Sequence, residues 1–226
     1  MKQPWWKRAL SHLTELHIES APSDLNPHLY VCLSKGRYQL ATENAIYSFA
    51  DLYDNYMLSF NALKWEKIEG NEMLLLGVGL GSIPYMLETK LGRELRYTGV
   101  EIDENVLYLA NKYVLSDLNS PFEMHYADAW NFVNQTSEHF DIICMDVFVD
   151  DVIPDRMFSM DFLELLKDCL TPSGVLMYNC LARTDADLHA TKKFLFDEFL
   201  TVFPEGGYLD VRGNWMLVNR KDFFSS

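Results

Sequence analysis

The chain is short of basic residues, and this shortage limits its partners. Lysine and arginine together number 19 against 33 aspartates and glutamates, which gives a formal net charge of −14 at neutral pH. Because proteins bind nucleic acid mainly through clustered Lys and Arg that displace counterions, nucleic acid is not an expected partner. An acidic surface suits cationic small molecules, and it also keeps many cytosolic proteins soluble. The charge therefore excludes one class of partner without choosing a function.

Long apolar runs and paired cysteines are missing as well. No apolar stretch approaches the roughly 18 residues that a membrane span requires, and the amino terminus lacks the continuous apolar segment of a leader peptide. The cysteines are scattered, without a Cys-x-x-Cys pair or a histidine at metal-ligand spacing: Cys32, Cys144, Cys169 and Cys180. We expect a cytoplasmic protein with reduced core thiols, no membrane association and no metal site.

The patterning divides the chain into a small β-module at residues 1–49 and a main domain at residues 50–226. A chain of 226 residues, 49% of them hydrophobic, can bury one substantial core and a small appended module, but not two full-sized domains. Three strands are predicted in the module, at residues 13–19, 29–34 and 37–42. Lys35-Gly36 lies where a two-residue hairpin turn needs a residue that tolerates positive φ. The module is therefore predicted to be a β-meander.

Strand and helix patterns alternate in the main domain. Apolar runs typical of buried parallel strands occur at residues 73–78, 97–102, 122–126, 140–145 and 174–178, and segments 208–211 and 215–219 can close the sheet as an antiparallel pair. Helical periodicity covers residues 50–65, 83–89, 104–115, 129–135, 160–170 and 185–202. This alternation predicts an α/β fold with a doubly wound, mostly parallel, seven-stranded sheet behind the β-meander.

Glycines cluster directly after the first strand of that sheet. Only 11 glycines are present, yet Gly77, Gly79 and Gly81 fall within five residues. In open parallel sheets ligands bind outside the carboxyl ends of the strands, and glycine lets a ligand approach the backbone and the helix amino terminus. A G-x-G-x-G loop alone also occurs as a plain tight turn. Ser82 stands where a dinucleotide fingerprint has its last glycine, which disfavours nucleotide oxidoreduction.

Acidic residues follow the next two strands. Glu101 ends the second strand at a distance from the glycines that suits a carboxylate binding both ribose hydroxyls, although an exposed acid at a helix start has the same pattern. Ile102 can pack on an adenine face. Asp128, with Ala129, either reads the amino edge of adenine or caps the following helix. Asp103 is predicted to be the N-cap of its helix.

Asp146 follows the fourth strand, whose residues 140–145 are almost wholly apolar. Placing a carboxylate at the end of a buried strand costs free energy, and such a residue is favoured when it has a functional role. Asp146 is therefore a candidate catalytic residue. Asp150 lies close behind in the same acidic loop and is the second candidate.

Together these motifs resemble the spermidine synthase (polyamine aminopropyltransferase) family, a branch of the Rossmann-like S-adenosylmethionine-dependent methyltransferase superfamily. The motifs are MLLLGVGLG at 73–81, GVEID at 99–103, YADA at 126–129 and FDIICMD at 140–146. The resemblance implies S-adenosylmethionine, or its decarboxylated form, as the cofactor. It places the three glycines around the amino-acid or aminopropyl part, Glu101 at the ribose, Asp128 and Ala129 at the adenine, and Asp146 at the sulfonium end. The resemblance further implies a homodimer as a possible assembly, because the family's amino-terminal β-domain often takes part in dimerisation.

The sequence departs from this family at three places that concern selectivity. Leu80 stands where aminopropyltransferases usually carry an aspartate that holds the aminopropyl amine, and Val149 stands where they carry the base. Asp150 or Asp151 replaces that base only if the loop has shifted. The nearest counterpart of the diamine-binding Tyr-His-Glu stretch is Tyr53-Asp54-Asn55.

Three functions follow from these observations. The leading hypothesis is transfer of a methyl group to a small-molecule acceptor, with an amine among the candidates, in which Asp146 or Asp150 orients or deprotonates the acceptor. The alternative is aminopropyl transfer from decarboxylated S-adenosylmethionine to a diamine. The second alternative is a non-catalytic nucleoside-binding scaffold, which would be indicated if Phe148, Met157 and Phe158 filled the acceptor cavity.

Overall fold

A computed structural model describes residues 3–26, 28–42, 46–148 and 152–224. Its first sheet is an antiparallel meander in the order β1 (Leu16–Ser20), β2 (Tyr30–Ser34), β3 (Arg37–Ala41) and β4 (Ile46–Ser48). The turn residues Lys35 and Gly36 both have positive φ, at 48° and 75°, as a tight hairpin of this kind requires. The predicted meander is confirmed. The short strand β4 and the helix α1 (Trp5–Leu10) were not predicted.

The main sheet has seven strands, as predicted. In chain order they are β5 (Glu72–Leu76), β6 (Arg96–Glu101), β7 (Phe122–Tyr126), β8 (Phe140–Met145), β9 (Leu170–Leu181), β10 (Gly207–Asp210) and β11 (Asn214–Val218). Their order across the sheet is β10-β11-β9-β8-β5-β6-β7, and only β10 and β11 are antiparallel to their neighbours. The strand order reverses between β5 and β8, which is where a ligand site is expected.

Seven further helices connect or follow these strands: α2 (Asp54–Ala62), α3 (Ser82–Leu91), α4 (Glu104–Tyr113), α5 (Ala129–Gln135), α6 (Met160–Asp168), α7 (Asp185–Phe194) and α8 (Leu200–Val202). The helix predicted at 50–65 is shorter, because Ala50, at φ 48°, is outside the right-handed helical region and residues 50–52 form a separate 3-10 turn. The helix predicted at 185–202 contains a π turn at Leu195–Phe199. In the described ranges no helix has the length and apolar character to cross a membrane.

Side chains of the central strands alternate between two apolar clusters. Leu74 and Leu76 of β5 pack into one cluster, whereas Met73 and Leu75 pack into the other. Since successive strand residues point to opposite faces, the sheet is buried on both sides, as a parallel sheet requires.

A third apolar cluster joins the meander to the main sheet. Leu29, Val31 and Leu40 of the meander pack with Leu80 of the glycine loop and Leu109 of α4. The glycine loop is therefore braced from outside by the first sheet.

Polar contacts cross the same boundary. Asp103 is the N-cap of α4, as predicted, and accepts a hydrogen bond from the Asn105 backbone N–H at 3.0 Å. Its other oxygen accepts from Ser23 and Asn26, at 2.5 and 2.8 Å, in the segment between β1 and β2. These contacts tie the amino-terminal segment to the start of α4.

Candidate functional site

A cavity lies at the carboxyl ends of the parallel strands, next to the point where their order reverses. It encloses about 1030 Å³, counting the solvent at its mouth. We refer to it as the strand-end cavity. Its lining includes most of the residues predicted from the sequence: Gly77, Gly79, Glu101, Ile102, Asp128, Ala129 and Asp146. Residues that follow four separate strands thus share one site.

Two predicted site residues are not part of this lining. Gly81 has φ 81° and precedes α3, and a Cβ there would lie 2.6 Å from the Leu115 side chain. Gly81 therefore serves the packing of the turn, and its predicted contact with the cofactor stays untested. Asp150 lies outside the described residues. Across the described ranges, no group of three or more His, Cys, Asp and Glu side chains is arranged to hold a metal ion.

Gly77 lets the glycine loop lie against the end of β8. Its φ is 86°, and a Cβ at this position would lie only 2.3 Å from the carbonyl oxygen of Asp146. Any side chain would force these two strand ends apart. The close approach brings the backbone of the loop and the Asp146 carboxylate to the same end of the cavity.

The Glu101 carboxylate is oriented by backbone N–H groups. One oxygen accepts from Val78 at 3.0 Å and the other from Ile102 at 3.0 Å, with longer contacts from Gly79 and Asp103 at 3.4 and 3.3 Å. Burial raises the pKa of Glu101, and the backbone donors oppose that rise. Each oxygen thus has one short and one long contact, and the long contacts, from Gly79 and Asp103, are the ones that a ligand hydroxyl can replace.

Asp128 has two partners within the protein. One oxygen accepts from the Asn131 backbone N–H at 3.1 Å, so Asp128 caps α5. The other forms a close ion pair with Arg156. The capping alternative is confirmed, while recognition of an adenine edge stays a prediction.

Asp146 is held by two side chains. Its Oδ2 accepts from the Tyr53 hydroxyl at 2.9 Å, and its Oδ1 accepts from the Asn179 Nδ2 at 2.7 Å. Burial raises the pKa of Asp146 to about 6, although Asn179 and Tyr53 lower it. Burial and the nearby Asp146 charge keep the pKa of Tyr53 well above its usual range, so this hydroxyl stays protonated and donates. The carboxylate is thus fixed in direction and ionised near neutral pH.

Several lining residues were not predicted from the sequence, including Asn179, Arg156 and Arg183. Asn179 is 1% exposed, and its Oδ1 accepts from the Asn214 Nδ2 at 2.9 Å, which fixes the amide orientation. Asn179 could have been predicted, because it is a polar residue near the carboxyl end of an apolar strand, and this is the pattern that indicated Asp146. The predicted strand ended one residue too early. Tyr53 was identified only through the family resemblance.

Leu80 does not line the strand-end cavity. Its side chain is 2% exposed and packs against the meander. Phe148 and Met157 form part of the cavity wall, whereas Phe158 packs edge-on against Phe194, with ring centroids 4.8 Å apart. These three apolar residues do not fill the cavity, so the observation that would indicate the scaffold alternative is missing.

Comparison with known proteins agrees with this arrangement. The model of the spermine/spermidine synthase domain family matches residues 87–192. A probable polyamine aminopropyl transferase of Bifidobacterium longum is 29% identical over 139 residues, which are 62% of this chain and 30% of that protein. The eEF1A lysine and N-terminal methyltransferase of Bos taurus is 28% identical over 122 residues, 49% of this chain and 17% of that protein. The chain thus matches less than a third of the length of either relative.

The fold has close counterparts among solved structures. Spermidine synthase from Thermotoga maritima superposes with a TM-score of 0.63 at 17% sequence identity, covering 90% of this chain and 72% of that one. At this identity the likeness concerns the fold, which is the Rossmann-like α/β architecture with an amino-terminal antiparallel sheet. Together with the match over residues 87–192, it confirms the predicted resemblance to the spermidine synthase (polyamine aminopropyltransferase) family.

Proposed function

We propose that this chain transfers an alkyl group from an S-adenosylmethionine-type donor to an amine, with aminopropyl transfer from decarboxylated S-adenosylmethionine as the leading reaction. The observation that carries the proposal is the Asp146 carboxylate, held by Tyr53 and Asn179 beside the glycine loop. The aminopropyltransferase names among the relatives favour this reaction over methyl transfer, which led the hypotheses from sequence.

The residues of the cavity suit a nucleoside donor with a positive charge. Gly77 and Gly79 expose backbone to the cavity, and Glu101 presents a carboxylate oriented for hydroxyl groups. When bound, the donor supplies a carbon attached to a sulfonium; the acceptor nitrogen forms a bond to it while the carbon–sulfur bond breaks, and the electron pair stays on a neutral thioether. The carboxylates of Glu101 and Asp146 balance the charge of such a donor.

Asp146 has the chemistry needed on the acceptor side. An amine attacks through its lone pair, so a proton must leave the nitrogen. With a pKa of about 6, Asp146 is ionised near neutral pH and can accept that proton. Tyr53 and Asn179 hold its oxygens in place meanwhile. Asp150 remains the second candidate base.

Methyl transfer is the second candidate function, and Leu80 favours it. The loop position where aminopropyltransferases usually carry an aspartate has here an apolar side chain packed against the meander. The loop therefore has no carboxylate at this position to prefer an aminopropyl amine over the α-carboxylate of intact S-adenosylmethionine. The bovine methyltransferase among the relatives is consistent with this second candidate.

Donor binding and product analysis test the proposal together. The purified chain is titrated with S-adenosylmethionine, its decarboxylated form, S-adenosylhomocysteine and methylthioadenosine, and the rise in Tm is recorded, because a ligand that binds only the folded state stabilises it. Mass spectrometry then identifies the nucleoside product with amine acceptors. Decarboxylated donor should give the larger shift and release methylthioadenosine.

Variants at Asp146 provide the matched comparison. Asp146→Asn should reduce turnover by about a hundredfold or more and keep part of the donor-induced rise in Tm, because Glu101 still compensates the charge of the donor. Asp168→Asn, at an exposed position at the end of α6, should change neither. Release of S-adenosylhomocysteine would favour methyl transfer. No shift with any of the four compounds would refute the transferase proposal.

A further inference from the structure

Every charged side chain that lines the strand-end cavity, except one, has a hydrogen-bond or ion-pair partner within the protein. The charged lining residues are Glu101, Asp128, Asp146, Arg156 and Arg183. All three carboxylates accept hydrogen bonds from protein groups, and Arg156 is paired with Asp128. Arg183 is exposed, and its guanidinium forms no hydrogen bond or ion pair with the residues that the structure describes. An unpaired cation at the wall of a binding cavity is available to a ligand.

The backbone on both sides of Arg183 is fixed. Just before it, the Ala182 N–H donates to the Gly213 carbonyl at 2.9 Å and continues the contact between β9 and β11. Just after it, Thr184 caps α7 in a reciprocal capping box with Asp187. The Arg183 side chain lies close to Gly213: a Cβ added at Gly213 would be 3.3 Å from the Arg183 Cγ.

Arg183 acts on the same end of the cavity as the Asp146 carboxylate. Its charge lowers the pKa of Tyr53, against the larger effect of burial, and Tyr53 is the residue that donates to Asp146. Asn179, the other donor to Asp146, and Asn214 lie in the same wall. Arg183 therefore belongs to the same cavity wall as Tyr53 and Asn179, the two residues that hold Asp146.

A neighbouring arginine gives a contrast. Arg212 lies directly before Gly213 and is paired with Asp54 at 3.0 Å, outside the cavity lining. Its charge is thus already compensated on the surface, whereas that of Arg183 is not. A diamine acceptor would bring a second ammonium group toward Arg183, where like charges repel.

We infer that a substrate bound at this end of the cavity carries a carboxylate, which pairs with the Arg183 guanidinium. The inference rests on the proposed function, because that function assigns an amine acceptor and a sulfonium donor to the cavity. Two sources supply the same chemistry. The acceptor is an amine that also bears a carboxylate, as an amino acid does, or the donor retains its α-carboxylate, as intact S-adenosylmethionine does. A planar guanidinium recognises either carboxylate through two parallel hydrogen bonds.

Acceptors that differ in a single group test the first source. Initial rates are measured with 4-aminobutanoate, butylamine and 1,4-diaminobutane for the unaltered chain and for Arg183→Ala, Arg183→Lys and Arg183→Glu. If the acceptor supplies the carboxylate, 4-aminobutanoate is preferred, and Arg183→Ala lowers kcat/KM for it by about tenfold to a hundredfold. Butylamine is unaffected, Arg183→Lys restores part of the loss, and Arg183→Glu shifts the preference toward the diamine. Arg212→Ala serves as the control and should leave the acceptor order unchanged.

Donor binding tests the second source and needs no turnover. Titration calorimetry compares S-adenosylmethionine with its decarboxylated form for the same variants. If the donor supplies the carboxylate, Arg183→Ala lowers the affinity for S-adenosylmethionine by about tenfold or more. The affinity for the decarboxylated form stays unchanged.

The inference is overturned if Arg183→Ala alters neither the acceptor order nor the difference between the two donors. The same holds if Arg212→Ala reproduces its effects, because Arg183 would then contribute only general surface charge. Failure of the proposed function has a different signature, in which neither donor binds to the unaltered chain. If the unaltered chain uses the diamine efficiently and Arg183→Ala keeps the full rate with it, the proposed function is supported. The inference that the substrate carries a carboxylate is then refuted.

Discussion

The Nδ2 of Asn179 donates to the Oδ1 of Asp146 at 2.7 Å across neighbouring strands. Met145 and Tyr178 are partners in the register of β8 and β9, so the next residue on each strand faces the other at the edge of the cavity. Asn179 is in turn fixed by Asn214. The direction of the carboxylate is therefore set by the sheet itself, before any ligand binds.

Replacing Asn179 with Ala should move the pH dependence of activity. Asn179 lowers the pKa of Asp146, so its loss raises that pKa above about 6. A base works only when deprotonated, and the acidic limb of kcat/KM against pH should therefore shift to higher pH. Tyr53→Phe removes the other donor and should shift the limb in the same direction. An unchanged limb in both variants would show that Asp146 is not the titrating base.

Asp146→Asn should stabilise the fold at neutral pH. Burial raises the pKa of Asp146 from its ordinary value of 3.8 to about 6. The protonated group thus contributes stability that is complete below pH 3.8 and lost as pH rises through about 6. A shift of this size corresponds to about 3 kcal/mol at most, which the variant recovers in part. Urea unfolding at several pH values measures the difference in the free energy of unfolding between the variant and the unaltered chain. The gain should vanish near pH 4, and a constant difference at every pH would contradict this account.

Leu80→Ala should destabilise the protein by about 2–5 kcal/mol, because it removes a buried side chain at the contact between the meander and the glycine loop. Leu80→Asp should cost still more, since it buries a charge among apolar side chains. Leu13→Ala is the control at 86% exposure and should change the free energy of unfolding by less than about 0.5 kcal/mol. A stable Leu80→Asp variant with improved selectivity for the decarboxylated donor would show instead that this side chain reaches the ligand.

Glu101→Gln should remove most of the donor-induced rise in Tm. The amide keeps the shape of the side chain but presents a donor where Val78 or Ile102 already donates, and it lacks the charge that attracts a cationic donor. We expect affinity to fall by about tenfold or more. Glu104→Gln, an exposed acid in the first turn of α4, should bind donor normally. Equal titrations for both variants would refute the assignment of Glu101 to the ribose.

Structural elements could be predicted from the sequence where they leave a pattern among neighbouring residues. Apolar periodicity located all seven strands of the main sheet, because burial on both faces leaves a local pattern in the chain. It missed β4, which has three residues and too few positions to show a period. It also joined the 3-10 turn at 50–52 to α2, since an isolated Ala with positive φ leaves no sequence signal.

The residues of the site divide in the same way. The fold class, the glycine loop and the carboxylates at the strand ends could be predicted from sequence patterns, because strand, turn and cap preferences act between near neighbours. The cytoplasmic location and the homodimer stay predictions. The three-dimensional structure was needed to show that Leu80 packs under the meander and that Tyr53 and Asn179 hold Asp146. It was also needed to show that Arg183, among the charged residues described in the cavity wall, is the one without a hydrogen-bond or ion-pair partner. These relationships join residues far apart in the chain, and their geometry is fixed by how the two sheets and the helices pack.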